Sequence, residues 1–397
     1  FFSTHTPPSP ILSGLVGSEM CIRDRSFTED QELIKNSVDK FILETYDAEH
    51  RRKTIKNNIG SDPNIWKYFS ELGWLSLPFS EEDGGFGGNL VDIMLLMRSF
   101  GRGLVIEPFI STVIMSGSIL SGCPKGLIRN NIIEEIIAGN AKVSFAHAEP
   151  NSRYNLSDIT TTATLNNNEW LINGNKCVVF GGGQADYILL AARTTGKRFD
   201  KDGISIFVLE KNTSGLIMQD YPTVDGFKAA EIQIDNVKVP KENLISIKNN
   251  AYMIIEEAVN KTLVAIAAEA SGKMEKMYDM TLDYIKTRKQ FGTAIGKFQA
   301  IQHRAVEMLI LSDEMNSLSS MAALKALDNI DALKSVYASK IHIGTGGRIL
   351  AQESIQMHGG MGVTEEMEIG QYFKRLVLLD TFLGNSDYYL NLYSSLD

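Results

Sequence analysis

Trp170-Leu-Ile-Asn-Gly-Asn-Lys-Cys-Val-Val-Phe180 is the stretch on which the reading of the fold turns. Aromatic and β-branched residues flank Asn173-Gly174, a pair that accepts the positive φ angles of a tight type I′ turn, so the segment predicts a β-hairpin. Short β-rich runs surround it: Lys142–Ala146, Ile159–Leu165, Tyr187–Ala192, Ile204–Leu209 and Glu231–Val239, the last closed by Pro240. Short strands between turn signals predict a small antiparallel β domain over residues 143–248.

Outward from this region, the hydrophobic period lengthens on both sides. Toward the N-terminus, Thr28 and Gln31 have capping-box spacing ahead of Leu33, Ile34, Val38, Phe41 and Ile42. Asp62-Pro63 offers an N-cap with proline at the first helical position. Gly84-Gly-Phe-Gly-Gly88 reads as a flexible loop, and helical patterns resume at Val91–Arg98 and Gly126–Ala138. Residues 26–142 are therefore expected to be all-helical. Toward the C-terminus, Met274, Met277, Tyr278, Thr281 and Ile285 keep helical spacing. Small residues at Ala265, Ala267, Ala268, Ala270 and Gly272 invite close approach of another helix. Further helices are expected from Ile301 and from Ala332 to Gln356, giving a four-helix bundle over 249–397. The fold class is α+β: helices, then strands, then helices.

The bulk properties are those of an ordinary soluble chain. Its 397 residues exceed one compact core, and 44% are hydrophobic against 22% charged. A net charge of −9 argues against non-specific nucleic-acid binding. Cys21, Cys123 and Cys177 are scattered without a CxxC pair, which points to a reducing, cytoplasmic setting and to no zinc site. The six histidines are dispersed, so no metal centre is expected. No apolar run is long enough to cross a bilayer. Residues 1–25 read as a non-native leader. Phe1 is no initiator Met, no basic region precedes an apolar core, and Ser13–Arg25 resembles translated adapter read-through.

Common nucleotide and hydrolase motifs are absent: no GxGxxG follows a strand, and there is no P-loop or GxSxG elbow. Gly344-Thr-Gly-Gly347 lies inside a helical pattern and suits helix packing. His147-Ala-Glu149 has the HxE of deaminases without their PCxxC.

Four segments remain: Ser144-Phe-Ala-His-Ala-Glu-Pro150 with Leu156-Ser-Asp158; Val237-Lys-Val-Pro-Lys-Glu-Asn-Leu244; Tyr284-Ile-Lys-Thr-Arg-Lys-Gln-Phe-Gly292 with Ile295-Gly-Lys-Phe-Gln-Ala-Ile-Gln302; and Gln356-Met-His-Gly-Gly-Met-Gly362. In order and separation they resemble the signatures of the acyl-CoA dehydrogenase family, over about residues 26–390. Phe145–Asp158 and Gly370–Gly384 further resemble the small subunit of pimeloyl-CoA dehydrogenases.

The resemblance implies an FAD-dependent α,β-dehydrogenation of an acyl-CoA thioester, as in fatty acid β-oxidation, with electrons passed to an electron-transfer flavoprotein. It places Ser157 as a hydroxyl contact to the flavin and Ala148 where a threonine is usual. It makes Arg288 the partner of the FAD pyrophosphate across a subunit interface, a task that suits a forked guanidinium. Phe291 falls on the adenine side, and Gln299 and Asn385 join the cofactor site. Gln356, Gly359 and Gly360 supply the other subunit's share, with glycine backbone approaching phosphate. Contacts in trans imply a dimer or tetramer, with a large dehydrogenase subunit in the heteromeric case. Read locally, the same segments also fit a strand-end turn, a solvated basic helix end in which Gly292 is the left-handed cap, and a glycine-capped helix terminus.

The chain departs from the pattern at the catalytic base, where a carboxylate must take the α-proton. Leu383 occupies the usual glutamate position, and Thr262 occupies the alternative one on the long helix. Three explanations stand: a sister subunit supplies the glutamate, another acid such as Asp387 acts, or the fold serves a different flavin reaction or binding alone. A scaffold without FAD and a flavin oxidase are the rival classes.

Overall fold

The computed structural model describes residues 27–57, 60–325, 329–364 and 367–396, so the leader expected over 1–25 lies outside the described residues. The N-terminal part is helical as expected. α1 (Glu29–Glu44) starts on a reciprocal capping box, with the Thr28 and Gln31 amides donating to each other's side-chain oxygens at 3.1 and 3.2 Å. α2 (Ala48–Lys56) follows, then α3 (Pro63–Glu71), capped by Asp62, and α4 (Leu90–Arg102), with a second box from Asn89 and Asp92. Ile110–Ser116 is π-helical and runs into α5 (Gly117–Gly122), and α6 (Leu127–Ile137) completes the layer.

The glycine loop 84–88 is not the loose connection its composition suggests. The amides of Phe86, Gly87 and Gly88 donate to the carbonyls of Ser76, Phe79 and Leu77. A Cβ at Gly85 would lie 2.2 Å from the Phe79 carbonyl oxygen, so glycine here permits backbone-to-backbone contact.

Seven strands form the sheet: β1 (Val143–Ala146), β2 (Thr162–Asn166), β3 (Glu169–Phe180), β4 (Tyr187–Arg193), β5 (Ile204–Glu210), β6 (Leu216–Pro222) and β7 (Lys228–Pro240). They run in the order β1-β4-β2-β3-β7-β6, with β5 also on β4. Two expectations need correction. The sheet is mixed, because β1 pairs with β4 in parallel, Val143 opposite Tyr187. The hairpin does not turn at Asn173-Gly174 either. β3 is one strand, paired with β2 on one side and β7 on the other, and the tight turn is Asn167-Asn168, where Asn167 takes φ 57°. Gly174 sits instead at a register irregularity, where a Cβ would meet Thr161 Oγ1 at 2.3 Å.

α7 (Tyr252–Thr287) is the long axis of the molecule, buried on all sides from Leu263 to Met274. It crosses α4 with backbones in contact: a Cβ at Gly272 would lie 1.9 Å from the Arg98 carbonyl oxygen, and one at Gly101 2.2 Å from that of Glu269. A short hairpin, β8 (Lys289–Gln290) and β9 (Thr293–Ala294), leads to α8 (Gln299–Leu324). The single helix expected over 332–356 is α9 (Ile330–His342) and α10 (Arg348–His358), joined through a π-helical turn at Ile343–Gly347. Gly344 does serve close packing there, since a Cβ would strike Asp380 Oδ1 at 2.2 Å. α11 (Ile369–Thr381) is the fourth rod of the bundle, and α12 (Ser386–Ser394) packs on α9. No helix among the described residues is long and apolar enough to cross a membrane, and no cluster of His, Cys, Asp or Glu among them is placed to hold a metal.

Candidate active site

All three parts of the fold meet at a cleft of about 440 Å³. The π-helical turn contributes Ser111 and Met115, α7 contributes Val259, and the end of α11 contributes Leu378, Thr381, Phe382 and Leu383. The β domain supplies the opposite wall. β1 ends at Ala146, and the chain peels away as a loop whose His147, Ala148, Pro150, Tyr154 and Leu156 line the space. Two backbone anchors hold this loop: the Cys177 amide donates to the Ala148 carbonyl at 2.9 Å, and His147 Nε2 donates to the Leu156 carbonyl at 2.8 Å. Burial and the nearby Lys176 ammonium push the His147 imidazole down to about 4, so the ring is neutral at pH 7.

Glu149 is the one carboxylate on the wall among the described residues, and it is fully engaged. It accepts from Lys176 Nζ at 2.7 Å, from the Thr160 and Thr161 amides at 2.8 and 3.0 Å, and from the Thr160 hydroxyl. Burial alone would raise its pKa; the Lys176 ammonium and these donors outweigh it and hold the carboxyl at about 2. A carboxylate so stabilised is a poor proton acceptor.

β3 contributes Cys177, Val178 and Phe180 beside a second irregularity between Lys176 and Val179. Bulges re-aim side chains. Here Val178 is forced to φ 51°, a conformation that costs a β-branched residue on the order of 1–3 kcal/mol and marks a backbone held by its surroundings. Phe180 meets Phe382 edge-on, with ring centroids 4.2 Å apart.

Of the positions picked from the sequence, Ala148 and Leu383 line the cleft together. Ser157 is buried just behind it, its amide and hydroxyl both donating to Asn155 Oδ1 at 3.0 Å. Leu383 is held at φ 60° with its carbonyl accepting from the Tyr389 hydroxyl at 2.8 Å, and Asn385 caps α12 through the Tyr388 amide at 3.0 Å. Thr262 is not on the wall: it is fully buried and its hydroxyl donates to the Ala258 carbonyl at 2.7 Å. Asp387 is exposed in the first turn of α12, away from the cleft lining. The sequence reading did not find Met115, Val178, Phe180 or Val259. The strand irregularity at Lys176–Val179 brings in Val178 and Phe180, and no sequence pattern announces it.

The remaining positions gather elsewhere, on the outside. Arg288 follows the last residue of α7 and is exposed. Gly292 is left-handed, but as the second residue of the β8–β9 turn rather than as a helix cap, with Phe291 at φ 53° beside it and 92% exposed. Gln299 opens α8, also exposed. Gln356, Gly359 and Gly360 stand at the exposed end of α10, and a Cβ on either glycine would meet nothing within 4 Å. Tyr284 stacks on His358 at 4.4 Å, so the ends of α7 and α10 lie side by side.

These two regions fit the two halves of a flavin dinucleotide. The cleft offers apolar walls and a backbone edge to a planar ring system. The outer edge offers a free guanidinium, an uncovered aromatic ring and open glycine backbone to phosphate and adenine. Comparisons agree. Family models described as the acyl-CoA dehydrogenase N-terminal, middle and C-terminal domains match residues 28–123, 144–237 and 252–394. A probable acyl-CoA dehydrogenase of Bacillus subtilis, YngJ, is 27% identical over 368 residues, covering 91% of this chain and 96% of its own. Among solved structures, PigA with FAD and proline superposes with a TM-score of 0.87 at 21% identity, over 94% of this chain and 98% of its own. The prolyl acyl carrier protein oxidase AnaB gives 0.84 at 21%, over 93% and 99%. With three consecutive domains matched in order, the chain belongs to the acyl-CoA dehydrogenase family of FAD-dependent flavoproteins.

Proposed function

We propose that this chain is the FAD-holding small subunit of a heteromeric acyl-CoA dehydrogenase, in which a partner subunit supplies the carboxylate that removes the α-proton. One observation carries the reading: the only carboxylate on the cleft wall among the described residues, Glu149, is committed to Lys176, and the two customary base positions are Leu383 and the buried Thr262. Bound flavin supplies hydride acceptance. The chain's residues do the rest of the holding. Met115, Val259 and Phe382 exclude water and give an acyl chain an apolar bed. The loop from His147 to Ser157 fixes the ring edge.

The pimeloyl-type resemblance adds a dicarboxylyl or medium-chain acyl group. Arg153 is the single cationic side chain on the cleft lining among the described residues, exposed and at φ 47°, and is the place for a far carboxylate to pair. Electron-transfer flavoprotein is the proposed electron acceptor, and the cytoplasm the proposed compartment. A second reading, an oxidase on the same fold, is favoured by the likeness to AnaB.

The test is anaerobic mixing of the flavin-loaded protein with pimeloyl-CoA, alone and with its neighbouring large subunit. Bleaching of the flavin only in the mixture is expected. Bleaching by the chain alone rejects the partner base, and rapid reoxidation by air after bleaching supports the oxidase.

A further inference from the structure

Arg193, the last residue of β4, is 7% exposed and forms no ion pair with a carboxylate among the described residues, although Asp200, Glu149 and Asp158 lie near enough to act on its charge. Its guanidinium is solvated by main-chain carbonyls from two loops. Nε donates to Ile159 at 3.1 Å, and Nη2 donates to Ser157 at 2.9 Å, Arg198 at 2.8 Å and Asp200 at 3.0 Å. Nη1 donates to Asp202 at 3.1 Å and Thr195 at 3.4 Å. A buried cation normally takes a carboxylate partner; here the donor fork is spent on backbone alone, and so serves as a template for chain path.

The two loops it joins are unequal in role. One is the turn Asn155–Ile159, which carries Leu156 onto the cleft wall and Ser157 just behind it. The other is the exposed connection Thr195–Asp202. The cage is closed from its far side by Gly203, at φ 92°, where a Cβ would lie 2.1 Å from the Thr195 carbonyl oxygen and 3.3 Å from Arg193 Nη1. A backbone bond from the Ile159 amide to the Arg198 carbonyl, 3.3 Å, and the Arg198–Asp158 ion pair run alongside.

We infer that Arg193 is a positioning residue for the cofactor: its guanidinium locks the Asn155–Ile159 turn onto the Thr195–Asp202 loop and so sets the flavin-side wall before FAD arrives. Arg193 does not line the cleft, so it acts through the turn. The inference rests on FAD being the cofactor and is independent of which reaction follows.

The experiment measures FAD affinity by fluorescence on apoprotein of Arg193→Met and Gly203→Ala, which open the cage from opposite sides, alongside thermal midpoints. Arg129→Met is the matched control, because Arg129 is equally buried, at 3%, but pairs with Asp83 in the helical domain. Both cage variants are expected to bind FAD at least about tenfold more weakly, with Arg129→Met binding it as the parent does after an equal loss in midpoint. Arg193→Lys keeps the charge but not the fork, so an intermediate affinity is expected; should Arg193→Met fail to fold, this variant and Gly203→Ala decide. Cage variants within about twofold of the parent, or a control that weakens FAD as much, would overturn the inference. Because no substrate is present, the outcome stays separate from whether the protein dehydrogenates an acyl-CoA.

Discussion

The cleft and the outer edge where α7 and α10 end are built on opposite terms. Around the cleft, polar groups are spent inside the chain: Glu149 on Lys176 and two threonines, His147 on Leu156, Leu383 on Tyr389. At the outer edge, Arg288, Phe291, Gln356 and the Gly359–Gly360 backbone face outward. The first region is finished by folding. The second is left open by folding: Phe291, at positive φ and 92% exposed, has among the described residues only an edge contact with the Phe298 ring, centroids 6.2 Å apart. α8 fits this picture: it buries Ala305, Met308 and Met315 on one face yet exposes Val306, Leu309 and Ile310 on another.

The sharpest way to break the contrast is inside the cleft wall. Lys176→Met strands the buried Glu149 carboxylate, which should cost about 3–5 kcal/mol in urea-unfolding stability. A loss under about 1 kcal/mol, the range of exposed pairs, would show that the pair is not the internal brace described here.

At the outer edge, removing a charged hydrogen bond to phosphate without touching the core gives the opposite signature. Arg288→Ala should leave the unfolding midpoint unchanged and weaken FAD binding by about 1.5–3 kcal/mol, read by fluorescence titration. An unchanged FAD affinity would move the pyrophosphate elsewhere.

Acid separates the regions without mutation. The Glu149 carboxyl is depressed from 4.5 to about 2, so its stabilisation is complete above the unfolded value and drains away as pH falls from 4.5 toward 2. The His147 ring, depressed from 6.5 to about 4, acts in the same direction between those values, because the unfolded chain takes up the proton first. Burial raises the Glu107 carboxyl to about 7, which acts in the opposite direction between pH 7 and 4.5, so the ring is read as a difference: the parent's urea midpoint should fall relative to that of His147→Phe as pH drops from 6.5 to 4. A parent-minus-variant difference that stays flat from pH 6.5 to 4 would contradict the buried neutral ring.

The smallest effect is expected at the rim. Arg153→Ala should weaken pimeloyl-CoA binding by up to about 1 kcal/mol, the worth of an exposed ion pair, and leave octanoyl-CoA unaffected, as isothermal titration would read. Equal losses for both ligands would mean that Arg153 does not read the far carboxylate.

The sequence revealed most where chemistry is local. The Thr28–Gln31 box and the Asp62-Pro63 start appear where their spacing puts them, because a cap needs only its own turn. Asn173-Gly174 misled because a bulge and a hairpin ask for the same residues. The pairing of β3 on both sides decided between them, and that is a property of strands far away in sequence. The parallel β1–β4 pair was hidden for the same reason. Ala148 and Leu383, which line the cleft, and Ser157, which lies behind it, were picked through family resemblance, which carries tertiary information. Met115 and Val259 were missed because a methionine or valine on a helix looks the same whether it faces a core or a cleft.

The glycine contact between α4 and α7 also bears on motion. With Gly101 and Gly272 letting one helix backbone rest on the other, any slide of the first domain along the bundle would drive carbonyl oxygen into α-carbon. That joint is a steric detent, not a hinge. The first domain's share of the cleft wall, Ser111 and Met115, is thereby carried on a scaffold registered to the bundle that supplies Val259.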